Sequence, residues 1–213
     1  MIHPRDFWSF YTHFTGAVLS LIAVIFFIAT SAAEGNASIV NITGAIIFGI
    51  SMLALYSASS IYHYVNRPSE GLVRLRKLDH AMIYVLIAGT YTPIALSYMK
   101  FNDAIIFLSV IWMVAIAGIL MKIFWLNAPR WLYTSLYVVM GWAIIFDWKA
   151  FDGVPVGCLA LIAAGGISYT AGAVFYAIKK PNITKRFGFH EIFHFFVIFG
   201  SVFHFIAVDL YII

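Results

Sequence analysis

Two histidines stand four residues apart at the head of the last long apolar stretch, in the segment Phe-His-Glu-Ile-Phe-His-Phe at 189–195. Residues four apart on a helix lie on one face, about one turn from each other, so His190 and His194 can direct ring nitrogens at one ion. Histidine is costly at membrane depth and is normally paired or liganded there. The spacing therefore indicates either a two-ligand metal clamp or two histidines hydrogen-bonded to neighbouring helices.

The composition places this pair in a membrane protein. Of the 213 residues, 63% are hydrophobic and 10% are charged, whereas soluble domains have about 45–50% apolar and about 25% charged residues. Most of the chain must therefore lie in lipid or inside a helical bundle. The formal net charge is +4, but the basic residues form short clusters between apolar stretches, where they orient membrane spans. We expect no nucleic-acid partner.

The apolar stretches predict the fold. A helix needs about 20 apolar residues to cross the hydrocarbon. Seven stretches meet this length approximately: 12–33, 40–65, 80–99, 103–124, 131–148, 154–178 and 188–212. Short connections make sequential helices antiparallel neighbours and leave no room for a second domain. We expect an all-α integral membrane protein, with seven transmembrane helices in a single domain over 1–213.

The basic residues predict the orientation, because positive loops stay in the cytoplasm. Of the 13 Lys and Arg residues, two fall on one side, Lys100 and Lys149. The other side carries the remaining eleven: Arg5, Arg67, Arg74, Arg76, Lys77, Lys122, Arg130, Lys179, Lys180, Lys185 and Arg186. We therefore expect a cytoplasmic amino terminus and an outer carboxyl terminus, in the inner (plasma) membrane of the cell.

This orientation brings further polar residues to the depth of the clamp. His63 ends the second stretch and Asp79 precedes the third, both at the cytoplasmic end. Together with His190 and His194, His63 makes a set of three neutral imidazoles, which suits Zn²⁺ and leaves a fourth position for water. Asp79 can orient or deprotonate that water. An acid in the first helical turn also favours the helix dipole without any other role.

Two other side chains have two interpretations each, and a third has none. Ser59 lies one turn before His63 on the same face, where it can hold an imidazole or a water, but small residues there also allow close helix packing. His13, near the cytoplasmic end of the first stretch, indicates a polar pair or an interfacial helix-end histidine. His80 follows Asp79 directly, and the sequence assigns it no role.

The chain resembles the PAQR family, the progestin and adipoQ receptors, and specifically its bacterial haemolysin III branch. The resemblance covers essentially the whole chain and rests on four segments: Ser59-Ser-Ile-Tyr-His63, Lys77-Leu-Asp79, Gly165-Gly-Ile-Ser-Tyr169-Thr-Ala-Gly172 and His190-Glu-Ile-Phe-His194. It implies zinc ligands at the three histidines, an acid contacting the zinc-bound water at Asp79, and the family serine at Ser59. The glycines of the third segment indicate a helix-packing face.

Two details qualify the resemblance. The amino-terminal family pattern is an acid, an Asn and a Thr-His pair; Asp6, Thr12 and His13 fit it, but Ser9 stands where Asn is usual. His204 also matches a family histidine. At 1.5 Å per residue, it lies about 15 Å along the helix from the second histidine of the clamp, so it cannot share the same ion.

The resemblance implies a function, because the family is grouped with alkaline ceramidases. It predicts zinc-dependent hydrolysis of a lipid amide or ester, with a membrane lipid as substrate and a role in membrane lipid homeostasis. Zinc lowers the pKa of bound water towards about 7 and polarises carbonyls, which suits that chemistry. A lipid sensor with structural zinc predicts the same ligands. A haemolysin-like pore predicts a continuous polar stripe across the bilayer. The outer halves of the predicted helices have few polar residues that could form one.

Residues 190–194 also satisfy H-E-x-x-H, the zinc protease signature with Glu191 as base. An intramembrane protease would need a distant acidic ligand such as Asp152. The charge count places Asp152 in an outer loop, a hydrocarbon thickness of about 30 Å from the histidines. Glu191 lies one residue off the histidine face and suits the helix amino terminus. The context that the protease motif requires is therefore not met.

The orientation is testable with reporter fusions. We expect a periplasm-dependent reporter fused at Ile213 to be active and a cytoplasm-dependent one to be inactive, with the reverse in the connection 66–79. The opposite pattern at Ile213 would overturn both the orientation and the predicted depth of the histidines.

Overall fold

The computed structural model describes residues 4–34, 38–66, 70–184 and 186–213. Arg67 and Lys185, both used in the charge count, lie outside these ranges. Within them the chain forms seven α-helices and one 3-10 helix. The helices are Phe7–Glu34 (α1), Ile39–Tyr64 (α2), Glu70–Tyr98 (α3), Phe101–Phe124 (α4), Arg130–Gly141 (α5), the 3-10 helix Ala143–Phe151, Val156–Ile178 (α6) and Phe189–Tyr211 (α7).

The all-α, seven-helix expectation is confirmed in outline. α1 and α3 begin 5 and 10 residues before the predicted stretches, so Asp79 lies inside α3 and the acid in the first turn of that helix is Glu70. The fifth segment also differs. Among the described residues, six helices are long and apolar enough to cross a membrane, all except α5. With 12 residues, α5 is about 18 Å long, well short of the hydrocarbon thickness of about 30 Å. The predicted stretch 131–148 is therefore divided between α5 and the 3-10 helix.

A tyrosine of α3 explains where α5 ends. The Tyr91 hydroxyl donates a hydrogen bond to the Gly141 carbonyl oxygen over 2.6 Å, so this carbonyl needs no helical donor. The Ile145 amide instead bonds the Trp142 carbonyl, one residue nearer in sequence, which is the 3-10 pattern. Glycine is also the weakest helix former after proline. A tertiary contact at a weak point thus converts the α-helix into a 3-10 helix.

The helix neighbours bring the predicted site residues to one end of the bundle. α1, α2, α3 and α4 pack in sequence, α6 packs on α7, and α1 also contacts α7. α1 and α7 begin where α2 ends, since the Asp6 amide bonds the His63 carbonyl over 3.2 Å and Ser9 bonds Glu191 over 2.8 Å. The carboxyl end of α2 and the amino ends of α1 and α7 therefore meet.

The glycine-rich segment of α6 is a packing face, as its sequence predicts. A methyl group on Gly165 would collide with the His204 ring, and one on Gly172 would lie 2.8 Å from Phe196 Cβ. In lipid, the hydrophobic effect does not favour contact between helices. Helix pairs are instead held together by van der Waals packing, which small residues strengthen because they let the backbones approach closely. This contact fixes α7, and with it both histidines of the clamp.

Replacing Gly172 by alanine should loosen this contact. Phe196 Cβ is part of the helix framework and cannot move away alone, so we expect about 1–3 kcal/mol of destabilisation and a lower Tm of the detergent-purified protein. Gly166→Ala, also on α6, is the matched control, because the nearest atom to a Cβ there is a Trp142 ring carbon at 3.7 Å, an ordinary contact. Equal Tm values for the two variants would contradict the close approach.

Candidate metal centre

The structure brings His63, His190 and His194 together, although 127 residues separate the first two. His63 comes from the last turn of α2, and the other two from the first turns of α7. One ring nitrogen of each lies within 4.8 Å of those of the other two, and the Nε2 atoms of His63 and His190 are 3.2 Å apart. A tetrahedral ion with metal–nitrogen bonds of about 2.0–2.1 Å needs ligand atoms about 3.3 Å apart. The triad can therefore hold a metal ion.

Hydrogen bonds from α1 determine which nitrogen two of the histidines present. His63 Nδ1 lies 2.9 Å from Asp6 Oδ2, and a carboxylate only accepts, so Nδ1 carries the proton. His194 Nδ1 lies 3.3 Å from the Thr12 hydroxyl, whose own hydrogen goes to the Trp8 carbonyl over 2.8 Å. Both rings therefore leave an unprotonated Nε2 free to bind a metal, as liganding histidines do.

Asp6 is itself held in place from two sides. Arg5 lies beside its carboxylate, with Nη2 2.9 Å from Oδ2, and Tyr62 lies under the guanidinium at 4.5 Å from ring centroid to Cζ. Burial alone would raise the pKa of Asp6, but the hydrogen bonds from His63 and Arg5 outweigh burial and hold this pKa below its usual value. The carboxylate is thus charged when it orients His63.

His13 packs face to face on His194. The two rings are 3.5 Å apart between centroids at an interplanar angle of 10°, and the Tyr56 ring meets His13 edge-on at 5.0 Å. His13 is buried, and neither of its nitrogens has a hydrogen-bond partner within the described residues. His13 is therefore buried in the bundle beside His194 rather than exposed at the end of its helix. The ring supports the plane of His194.

Glu191 serves the start of α7 rather than the triad. One carboxylate oxygen accepts a hydrogen bond from the Gly188 amide over 2.8 Å, and the other accepts one from the Ser9 hydroxyl over 2.8 Å. Both acceptors are therefore engaged at the helix cap. In the part of the chain that the structure describes, the side chains whose ligand atoms lie close enough to share one metal ion are His63, His190 and His194. Asp152 is not among them. This arrangement does not match the protease motif.

A cavity of about 600 Å³ lies against the triad, between α2, α3, α5, α6 and α7. Its wall is mostly aliphatic and aromatic, with a few polar side chains that include His13, Ser59, Asp79, His190, His194 and His204. Asp79 is therefore on the cavity wall, with Oδ2 3.5 Å from His80 Nδ1. The Ser59 hydroxyl is buried and has no hydrogen-bond partner among the described residues, so it is free to bind water or a ligand.

His80 has a structural role. Its Nδ1 donates to the Arg76 carbonyl over 2.9 Å, and its own carbonyl accepts a hydrogen bond from the Tyr137 hydroxyl over 3.0 Å. The second bond ties α3 to α5 beside Asp79.

Sequence reasoning missed what Asp6 and Thr12 do. It recognised an acid and a Thr-His pair but assigned them no contacts. The signal was present, since residues 6, 9, 12 and 13 follow helical spacing and share one face of α1. What the sequence does not contain is the partner of that face, which is the junction of α2 and α7.

Comparison with known proteins identifies the family of the chain. The sequence profile of the family described as "Haemolysin-III related" matches residues 3–205. The chain belongs to the haemolysin III family. This haemolysin III chain is 39% identical to "Hemolysin-3 homolog" of Bacillus subtilis (strain 168), over 94% of its own length and 91% of the relative's. It is 37% identical to "Hemolysin-3" of Bacillus cereus, over 95% and 89%.

The chain also has a more distant human relative. The chain is 26% identical to "Monocyte to macrophage differentiation factor" of Homo sapiens, over 78% of its own length and 69% of the relative's. This relative is of the PAQR type. The chain is thus a multi-pass membrane protein of the haemolysin III and PAQR family.

Removing the Asp6 carboxylate should weaken metal binding without abolishing it. We expect Asp6→Ala to lower metal affinity about 10- to 100-fold, the usual loss when the partner of a liganding histidine is removed. Competition with a chelator, followed by elemental analysis, measures this affinity. Asp103→Ala is the control, because Asp103 is an exposed acid at the start of α4.

The His190→Ala, His194→Ala double variant sets the reference for complete loss of metal. An Asp6→Ala affinity equal to wild type would show that the Asp6 bond is not needed to orient His63. Full metal occupancy in the double variant would remove the triad as the metal site.

Proposed function

We propose that this chain is a zinc-dependent hydrolase of amide or ester bonds in a membrane lipid, acting in membrane lipid homeostasis. The observation that carries the proposal is the position of the histidine triad, two of whose rings line a cavity of about 600 Å³ with a mostly apolar wall. Cavities of roughly 300–1,000 Å³ with a few convergent polar groups are the usual form of a small-molecule site. An apolar wall suits an acyl chain.

Zinc is the metal that best fits the donors. His63, His190 and His194 would hold it, since three imidazoles with a fourth position left open are a common catalytic zinc set. The hydrogen bonds that leave Nε2 of His63 and His194 unprotonated support this choice, because neutral imidazole nitrogens suit zinc. When bound, zinc supplies a Lewis acid that polarises a carbonyl and makes water easier to deprotonate.

The remaining steps belong to side chains on the cavity wall. Asp79 takes a proton from the attacking water and returns it to the leaving nitrogen or oxygen, the usual task of a positioned carboxylate. The free Ser59 hydroxyl donates a hydrogen bond to the water or to the substrate head. Aliphatic and aromatic side chains of α3, α5 and α6 bind the acyl chain and exclude bulk water.

We place this site near the cytoplasmic face of the inner membrane. The support comes from basic residues at the triad end of the bundle. Arg5 bonds Asp6, and Arg130 donates a hydrogen bond to the Tyr176 carbonyl over 2.9 Å, close to where the rings of Tyr176 and His190 meet at 5.8 Å. Positive residues favour the cytoplasmic side.

Asp79→Asn tests the chemistry. The variant should keep about one zinc per chain, because Asp79 lies outside the triad, while losing the proton acceptor. Hydrolysis of a panel of N-acyl lipids by purified protein should fall about 10²- to 10⁴-fold, the usual contribution of a general base. Asp103→Asn, an exposed acid on α4, should leave the rate unchanged.

The other outcomes assign different roles. Loss of zinc in Asp79→Asn would make the acid a ligand, and unchanged hydrolysis with zinc retained would remove it from the mechanism. If zinc-loaded wild type hydrolyses no lipid in the panel, the hydrolase proposal fails in favour of a lipid sensor with structural zinc.

A further inference from the structure

We propose that His204 is a binding site for a hydroxyl group on the chain of the lipid in the cavity, so that the preferred ligand is a hydroxylated acyl lipid. This inference rests on the proposed lipid-binding function of the cavity and names the class of chain that it selects. His204 lies on the cavity wall, about 15 Å along α7 from His194. The site thus concerns the middle of the chain rather than the reacting head.

The tautomer of His204 follows from one hydrogen bond. Its Nδ1 lies 2.9 Å from the Gly200 carbonyl oxygen, and because a carbonyl only accepts, Nδ1 carries the proton. In a neutral ring Nε2 is then a hydrogen-bond acceptor. His204 is only 7% exposed, and within the described residues its ring makes one hydrogen bond, that of Nδ1 to the Gly200 carbonyl. Nε2 is therefore an open acceptor in an apolar environment.

The ring is held in this position by α6. A Cβ on Gly165 would collide with His204 Nδ1 and Cε1, and the Tyr169 ring stacks on His204 with centroids 5.4 Å apart. The imidazole is therefore clamped between the Gly165 backbone and Tyr169. A clamped acceptor has a defined direction, which a binding site for a single hydroxyl requires.

Neighbouring polar groups on the wall bond one another and the backbone, and among the described residues none of them bonds His204 Nε2. Tyr169 and Ser201 hydroxyls lie 3.0 Å apart, Trp142 Nε1 donates to the Thr170 hydroxyl over 3.0 Å, and Thr170 donates to the Gly166 carbonyl over 2.7 Å. The donor for His204 Nε2 must therefore come from whatever fills the cavity.

A chain hydroxyl fits this requirement better than an isolated water. A buried water needs two to four polar partners, and the His204 ring offers it one, the open Nε2. A hydroxyl on a chain that apolar contacts already hold in place needs one partner. An acceptor left unbonded beside a plain acyl chain is penalised, so the same nitrogen discriminates between the two kinds of chain.

The test is a binding profile on the zinc-loaded full chain in detergent. The probes are long-chain fatty acids that carry one hydroxyl at successive positions, together with the unsubstituted acid, each displacing a fluorescent fatty acid. We expect one position, or two adjacent ones, to bind about 2- to 10-fold more tightly than the unsubstituted acid, as one net hydrogen bond allows. A flat profile overturns the proposal, and this wild-type comparison needs no variant.

His204→Phe assigns the preference to the ring nitrogen. Phenylalanine keeps a ring between Gly165 and Tyr169 but has no acceptor, so the peak in the profile should vanish while the unsubstituted acid still binds. Thr90→Val is the matched control, because this cavity-lining hydroxyl is already donated to the Ile87 carbonyl, and the peak should persist. If the peak persists in His204→Phe, the preference comes from another group and the proposal is overturned.

The same binding assay distinguishes failure of the proposed lipid function from failure of the His204 site. If wild type binds neither the fluorescent acid nor any competitor, the proposed lipid function fails. If it binds all of them equally, only the His204 site fails.

Discussion

Two buried histidines take their hydrogen bonds from another helix, and the arrangement of the site depends on these bonds. An imidazole without partners inside a membrane bundle is costly, so His63 and His194 each need an acceptor for Nδ1–H. α1 provides both, from Asp6 and Thr12. Because Asp6 and Thr12 stand on one helix, the bonds also set α1 relative to α2 and α7. The same contacts thus join three helices and select the nitrogens available to a metal.

The cavity depends on a second set of contacts, in which helix ends are determined by tertiary structure. Tyr91 of α3 engages the Gly141 carbonyl and α5 ends there. Trp142, at this break, bonds Thr170 of α6, so the break is tied to both neighbouring helices. Both tryptophan and tyrosine line the cavity. A regular membrane-spanning helix in place of α5 and the 3-10 helix would place different side chains against the cavity beside the triad.

Polar groups in the bundle are divided between packing and binding. Both carboxylate oxygens of Glu191 are engaged by the protein itself, which explains why Glu191 does not belong to the metal centre although it is next to His190 in sequence. Ser59 and His13 retain unsatisfied atoms next to the cavity. Since buried polar groups are nearly always bonded, atoms that the protein leaves free mark where a ligand, ion or water is expected.

The sequence by itself determined the membrane class, the positions of six of the seven helices apart from the amino ends of α1 and α3, and the three histidines of the triad. Each of these depends on local quantities: total apolar length, the four-residue spacing of His190 and His194, and charge between spans. Tertiary structure alone decided the division of the fifth segment, the bond between Glu191 and Ser9 of α1, and the pairing of Asp6 with His63. These depend on which helix faces which, because a hydrogen bond between residues 57 positions apart leaves no periodic trace in the chain. Local patterns identify the groups that need partners, and only the packed bundle supplies the partners.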